Sequence, residues 1–229
     1  MAYIYPTSDA GIQWVGLGNN FADARSATTG TTINTASTTG RVAVDYLSAR
    51  GTTVGAIARA FFEFDTSGIS VTPTYCKLEL YGRRWSSADL IAVKSTLTAD
   101  ADGGMSTADY NAIYNASTEL AASDASGTGT LAGISGLTYS PEISTWSTSG
   151  YNAITFNATA LADMVSLDTF KVCVMEYDHD FLDIASLGDS VVSGWFTDAQ
   201  SGTSRDPRLN YGPGAVSYTH LTLPTTPNV

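Results

Sequence analysis

Apolar residues recur at every second position over much of the chain, the spacing that puts one face of a β-strand in a core and the other in water. In TYCKLELYG, Cys76, Leu78 and Leu80 share a face while Lys77 and Glu79 take the other. IARAFFEFD sets Ala60, Phe62 and Phe64 against Arg59 and Glu63, RVAVDYL groups Val42, Val44 and Tyr46, and YNAITFN groups Ile154 and Phe156. KVCVMEY is apolar on both faces, which predicts a central strand covered on both sides. Adding AYIYP, IQWVGL, LIAVKST, VVSGWFT and PRLNY gives about ten short strands, separated by Gly, Asn, Asp and Pro, the pattern of a sandwich or barrel.

Two stretches break the alternation. STADYNAIY starts with Ser106 and has Asp109 three residues on, an approximate capping box, with Tyr110, Ile113 and Tyr114 at helical spacing. NATALADMV offers Asn157 as an N-cap and Leu161, Met164 and Val165 as one stripe. Each predicts a short helix inserted between strands. Between them, SDASGTGTLAGISG is small, polar and Gly-rich and reads as a loop or surface excursion.

Composition narrows the function. The 229 residues are 43% hydrophobic but only 14% charged, and lysine appears only at 77, 94 and 171. That is enough apolar residue for one domain to bury a core. A formal net charge of −11 repels phosphate backbones, and no stretch gathers the Lys and Arg that nucleic-acid binding needs, so nucleic acid is not the expected partner. No segment approaches the ~20 apolar residues of a membrane span, and MAYIYPTSDAGIQW has neither the basic start nor the apolar run of a signal peptide. Membrane insertion is therefore not expected. Cys76 and Cys173 both lie in strand-like runs and read as small buried hydrophobes, a disulfide between them being the alternative.

The run Val216 to Thr226, VSYTHLTLPTT, resembles the in-frame translation of a transposon-type sequencing adaptor, so residues 216–229 are expected to be a non-native tail and His220 to carry no function. In order along the chain, YPTSDA, ARAFFEFDTSGI, TYCKLELYG, YNAITFNATAL, FKVCVMEYDHDFLD and GTSRDPRLNYG resemble the DNRLRE-type jelly roll, a carbohydrate-binding-module-like β-sandwich of bacterial surface proteins, polysaccharide-degrading enzymes and phage structural proteins. FEFDTSGI matches its F-x-F-D-x-S-x-I segment and DPRLNY its closing D-P-x-L-x-V-x-Y strand, with coverage from about Tyr3 to Gly212. The resemblance implies an all-β, antiparallel jelly-roll β-sandwich with one or two short inserted helices. It forms one domain over residues 1–215, interrupted by an insertion at about 100–139, where this chain departs from enzyme-linked members.

A fold of this kind carries unrelated tasks. The Ala/Ser/Thr/Gly-rich style and the helix-bearing insertion resemble phage structural proteins. The expected role is accordingly a structural or surface protein of a bacteriophage virion, a capsid decoration, head or tail fibre module assembled in the host cytoplasm, mediating self-assembly or host-surface attachment. Its expected partners are copies of itself, trimers being a frequent solution, other virion proteins and a cell-surface glycan. The alternatives are a carbohydrate-binding module of a secreted bacterial protein or polysaccharide-degrading enzyme, and a bacterial surface filament subunit.

Catalytic chemistry finds little material. His179 is the only histidine outside the tail, and no G-x-S-x-G elbow, P-loop or G-x-G-x-x-G is present, so no enzyme is expected, although two carboxylates for glycoside hydrolysis are available to any acidic chain. Asp178, Asp180 and Asp183 in EYDHDFLD offer hard oxygen ligands for a calcium ion at a strand end, solvated turn carboxylates being the alternative, and Asp100 and Asp102 in ADADGG form a weaker candidate. Trp85, in a strand-end turn after Arg83 and Arg84, and Trp146 with Tyr151 nearby are the candidate stacking faces for a pyranose ring. The competing reading has Trp14, Trp85, Trp146 and Trp195 plugging the ends of the sandwich.

Overall fold

The computed structural model describes residues 2–17, 21–35, 37–49, 52–97, 105–122, 129–184, 190–197, 204–212 and 214; the side chains of 46–49 and 52–54 are outside this description. Among the described residues eleven strands form the framework: β1 (Ala2–Ile4), β2 (Ser8–Leu17), β3 (Thr32–Asn34), β4 (Thr39–Ala49), β5 (Thr52–Asp65), β6 (Cys76–Ser86), β7 (Leu90–Lys94), β8 (Gly150–Thr155), β9 (Thr169–Glu176), β10 (Val191–Phe196) and β11 (Arg208–Tyr211). The helices are short: α1 (Phe21–Ser26), a 3-10 turn at Thr107–Asn111, α2 (Ser117–Ala121), α3 (Ala158–Ser166) and a π-helical turn at Tyr177–Phe181.

Every pairing is antiparallel. One layer runs β3-β2-β5-β9-β7 and the other β4-β10-β6-β8, with β11 and β1 extending the second beside β6. From β6 to β10 successive strands alternate between layers, as jelly-roll connections do. The layers join where β4 meets β5. The first half of β5 pairs with β4 and its second half with β9, while β2 follows it along the other edge. TYCKLELYG and KVCVMEY are interior strands, as their patterns predict: β6 has neighbours on both edges, and so does β9.

Two cores flank the first layer. The inner one lies between the layers and takes Ala60, Phe62 and Phe64 of β5, Cys76, Leu78 and Leu80 of β6, Phe170, Val172 and Val174 of β9, and Trp195. The outer one takes the opposite faces of the same strands, Ile57 and Phe61 of β5 with Cys173 and Met175 of β9, and seals them beneath Phe21 and Ala24 of α1 and Tyr110, Ile113, Leu120, Leu131 and Leu137 of the excursion. This is why KVCVMEY is apolar throughout. Val42 and Val44, expected together, fall in different cores because β4 passes between layers there, pairing with β10 before this point and with β5 after it.

The second expected helix forms, with Asn157 Oδ1 accepting the Ala160 N–H at 3.0 Å. The first is cut to a single 3-10 turn, capped as expected with Asp109 Oδ2 accepting the Ser106 N–H at 2.8 Å. Ile113 and Tyr114 lie beyond its end, Ile113 in a β-bridge with Ser95 instead of on a helical stripe. α1, α2, β3 and the π-helical turn were not legible as elements. Asp100, Asp102, the Val216 to Thr226 run and His220 lie outside the described residues. Cys76 and Cys173 are both free and buried, each in a different core, so the buried-hydrophobe reading of the pair holds. Among the described residues, no helix is long and apolar enough to cross a membrane.

The inside/outside assignment is tested by charge. Val174→Asp would bury an unpaired carboxylate in the inner core and is expected to abolish folding, whereas Lys77→Glu on the half-buried face of β6 is expected to be nearly silent, both read by circular dichroism and thermal melts.

Candidate functional site

Arg59 alternates with the inner-core residues of β5, so the period-two pattern places it in solvent. The structure corrects this: its side chain is fully buried on the outer face of β5, beneath the excursion. It pairs in a fork with Asp180, Nε to Oδ2 at 2.8 Å and Nη2 to Oδ1 at 2.7 Å. Its remaining donors go to the Tyr110 carbonyl at 3.0 Å, the Asn111 side chain at 3.3 Å and the Arg25 carbonyl at 3.1 Å, and its guanidinium lies over the Tyr110 ring. Burial opposes the charge on Arg59, but the Asp180 carboxylate outweighs it and the guanidinium pKa moves upward. Arg25, also buried, donates to the Asp180 and Gly129 carbonyls and lies 3.5 Å from Asp183, whose Oδ2 accepts the Gly129 N–H; burial lowers the Arg25 pKa.

The three aspartates of EYDHDFLD therefore do not converge. Asp180 and Asp183 face separate arginines, and Asp178 lies beside Asp89, whose Oδ2 accepts the Asp178 N–H at 3.3 Å. Among the described residues no group of three or more His, Cys, Asp and Glu side chains is placed to hold a metal ion. The calcium reading of Asp178, Asp180 and Asp183 is corrected accordingly: arginine cations face Asp180 and Asp183, and Asp178 lies beside Asp89 instead of joining them. Glu176 caps the π-helical turn by accepting the N–H groups of His179 and Asp180 at 2.7 and 2.9 Å. Burial pushes its carboxyl pKa up to about 9 despite those two bonds.

The tryptophans also part company. Trp146 is buried in the inner core, donates from Nε1 to the Gly194 carbonyl at 3.1 Å and meets Trp195 edge-on, so it presents no face to a ligand. Tyr151 sits apart on β8 with Arg208 over its ring at 4.0 Å and its hydroxyl bonded to the Ser204 and Asp206 carbonyls. Trp85 is different: half-buried, it lines a cavity of about 500 Å³ on a sheet face running from β3 across β2, β5 and β4 to the end of β6.

Small residues make the hollow. Gln13, Ala58 and Ala43 stand side by side in register, and two residues along β4 Arg41 faces the same way opposite Gly194 of β10. Gly11 and Ala58 line the cavity where larger side chains would fill it, while Gly40 leaves room for the Trp195 ring, which a Cβ there would meet at 2.7 Å. Gly194 has to be glycine, since a Cβ there would stand 2.6 Å from both the Arg83 carbonyl and the Trp85 ring. The wall comes from a bulge in β6. Trp195 pairs with Gly82 and Ser193 with Ser86, which leaves extra residues on the β6 side, and Arg84 adopts φ 68°, a left-handed backbone that non-glycine residues rarely take. The bulge brings Trp85 within cation–π reach of two arginines, Arg84 at 4.8 Å and Arg41 at 5.9 Å from its ring centroid. Gln13, Asn34, Thr38 and Thr39 add amides and hydroxyls to the lining. Sequence reasoning singled out Trp85 but not Arg41 or the opposite wall, since nothing local in β2 or β4 marks residues that only the strand pairing brings together.

Two measurements probe the buried ion pairs. Arg59→Met would leave Asp180 charged and unpaired in the outer core and is expected to cost about 3–5 kcal/mol, most of it recovered by adding Asp180→Leu, as read by chemical denaturation. A raised carboxyl pKa contributes stability that is complete below the unfolded value of about 4.5 and is lost as pH climbs towards about 9, so Glu176→Gln should match the parent melting temperature near the lower value and exceed it near the upper. No protein-family model matches the chain, and no curated protein matches it.

Proposed function

We propose that this chain is a non-catalytic surface-attachment module that binds carbohydrate in the Trp85 groove. The observation that carries the reading is the combination within one cavity of a half-buried indole and nearby guanidinium groups with side-chain amides and hydroxyls around them. A pyranose has apolar C–H faces and a polar hydroxyl edge, and this lining offers a partner to each. The volume suits one or two sugar rings. The resemblance to carbohydrate-binding-module-like jelly rolls points the same way. Within a virion, the setting that the same resemblance suggests, such a groove is the natural place for attachment to a cell-surface glycan, and repeated copies would strengthen weak single-site binding through avidity.

A purely architectural role as a capsid or filament subunit needs no such groove. The described part of the excursion is already committed within its own chain, because Tyr110, Ile113, Leu120 and Leu131 cover the outer core. Self-association would accordingly use other surfaces.

Titration of the intact protein against an oligosaccharide panel, read by calorimetry or by changes in Trp fluorescence, tests the proposal. Trp85→Ala is expected to weaken binding by about tenfold or more with little change in melting temperature. Trp146→Ala is expected to do the reverse, costing about 3–5 kcal/mol of stability through the cavity it leaves in the inner core. Absence of binding to any glycan, or binding indifferent to Trp85, would overturn the reading.

A further inference from the structure

We infer that the groove selects an acidic sugar, a pyranose bearing a carboxylate, and that Arg83 and Arg84 supply the charge that recognises it. The inference rests on the carbohydrate reading of the groove and sharpens it to a ligand class.

The chain carries a net charge of −11 with only 11 Lys and Arg, yet Arg41, Arg83 and Arg84 all line this one cavity. Of these, Arg41 is answered by Asp45 at 3.3 Å and Gln13 at 2.8 Å. Among the described residues, no carboxylate lies within ion-pairing distance of Arg83 or Arg84. Arg83 rests on the Phe196 ring at 4.6 Å, and Arg205, outside the cavity lining, lies over that same ring at 4.9 Å, with no carboxylate in ion-pairing distance of it among the described residues. On a strongly acidic protein, like charges collected on one wall repel one another unless an anion joins them.

The backbone supports the assignment. Arg84 stands at φ 68°, where glycine would be free of strain, and the bulge that imposes this conformation is also what carries Trp85 into the groove. Retaining a long cationic side chain at such a position requires a compensating use. A guanidinium fork matches the two oxygens of a carboxylate, and the indole beside it takes the ring that bears the carboxylate. The chain's overall negative field disfavours ligands of high charge density, which favours one carboxylate per ring over polysulfated or phosphorylated chains.

The test titrates the full chain with a tetragalacturonate, its fully methyl-esterified form and a sulfated galactan of the same length, alongside alginate-derived mannuronate oligomers. Expected is binding of at least one uronate series about tenfold tighter than the esterified chain, weakening as salt is raised. Arg83→Gln, at a residue that does not lie over the indole, is expected to abolish the preference for the acid while Trp85-dependent binding of the neutral chain persists. Arg84→Gly, at a position whose backbone already suits glycine, is expected to abolish the preference and to weaken binding of the neutral chain as well, since it also removes the guanidinium over the Trp85 ring. Equal affinity for the acid and its ester, tighter binding of the sulfated chain, or a preference unchanged in both arginine variants would overturn the inference and leave the carbohydrate reading intact. Failure of every oligosaccharide to bind would remove both.

Discussion

The fork between Arg59 and Asp180 is the contact on which the outer half of the molecule depends. A sandwich needs only its inner core, and the far face of the β5 and β9 layer would ordinarily meet water. Here that face is roofed by α1, the excursion and the π-helical turn, and one guanidinium on β5 bonds to all three: the Arg25 carbonyl, the Tyr110 carbonyl and the Asp180 carboxylate. Removing two full charges from water costs several kcal/mol per ion, and only saturated geometry offsets it. That geometry exists in one arrangement of the three covering segments. The pair thus contributes less to net stability than to uniqueness, since an apolar residue at position 59 would tolerate several placements of the roof.

The groove follows from the opposite principle, local omission. Where regular strands would present large residues, this surface has Gly11, Ala58 and Gly194, and the bulge in β6 adds residues that the facing strand does not match. Rigid strands therefore carry the floor and an irregular strand end carries the indole and the cations. The pleated strands fix the spacing of Gln13 and Arg41, which hydrogen-bond at 2.8 Å, and the bulge sets the Trp85 ring 5.9 Å from the Arg41 guanidinium.

Much of the fold was legible because its signal is periodic. Ten of the eleven strands follow from alternation, the double-sided apolarity of KVCVMEY anticipated a strand covered on both faces, and Ser106 and Asn157 cap the segments they were expected to cap. What escaped notice is what periodicity cannot express. Arg59 looks solvent-facing by its spacing, and only a covering segment from 50 residues away makes it a core residue. Phe21 to Ser26 is too short for a helical stripe to register. Asp180 and Asp183 look like cation ligands in a local window, and their true partners, Arg59 and Arg25, lie more than 100 residues earlier. Trp85 and Trp146 looked alike as candidate stacking faces, and only the packing of Trp146 on Trp195 separates them.

The two cysteines hold a consequence for the environments in which the molecule can work. Each sits in a separate core, and burial raises both thiols, Cys76 up to about 12 and Cys173 higher still. Oxidation, metal capture and disulfide exchange all proceed through an accessible thiolate, which neither residue provides. With no other cysteine in the chain, the fold is indifferent to redox potential. Its two cysteines keep one covalent form in a reducing compartment and in an oxidising medium alike.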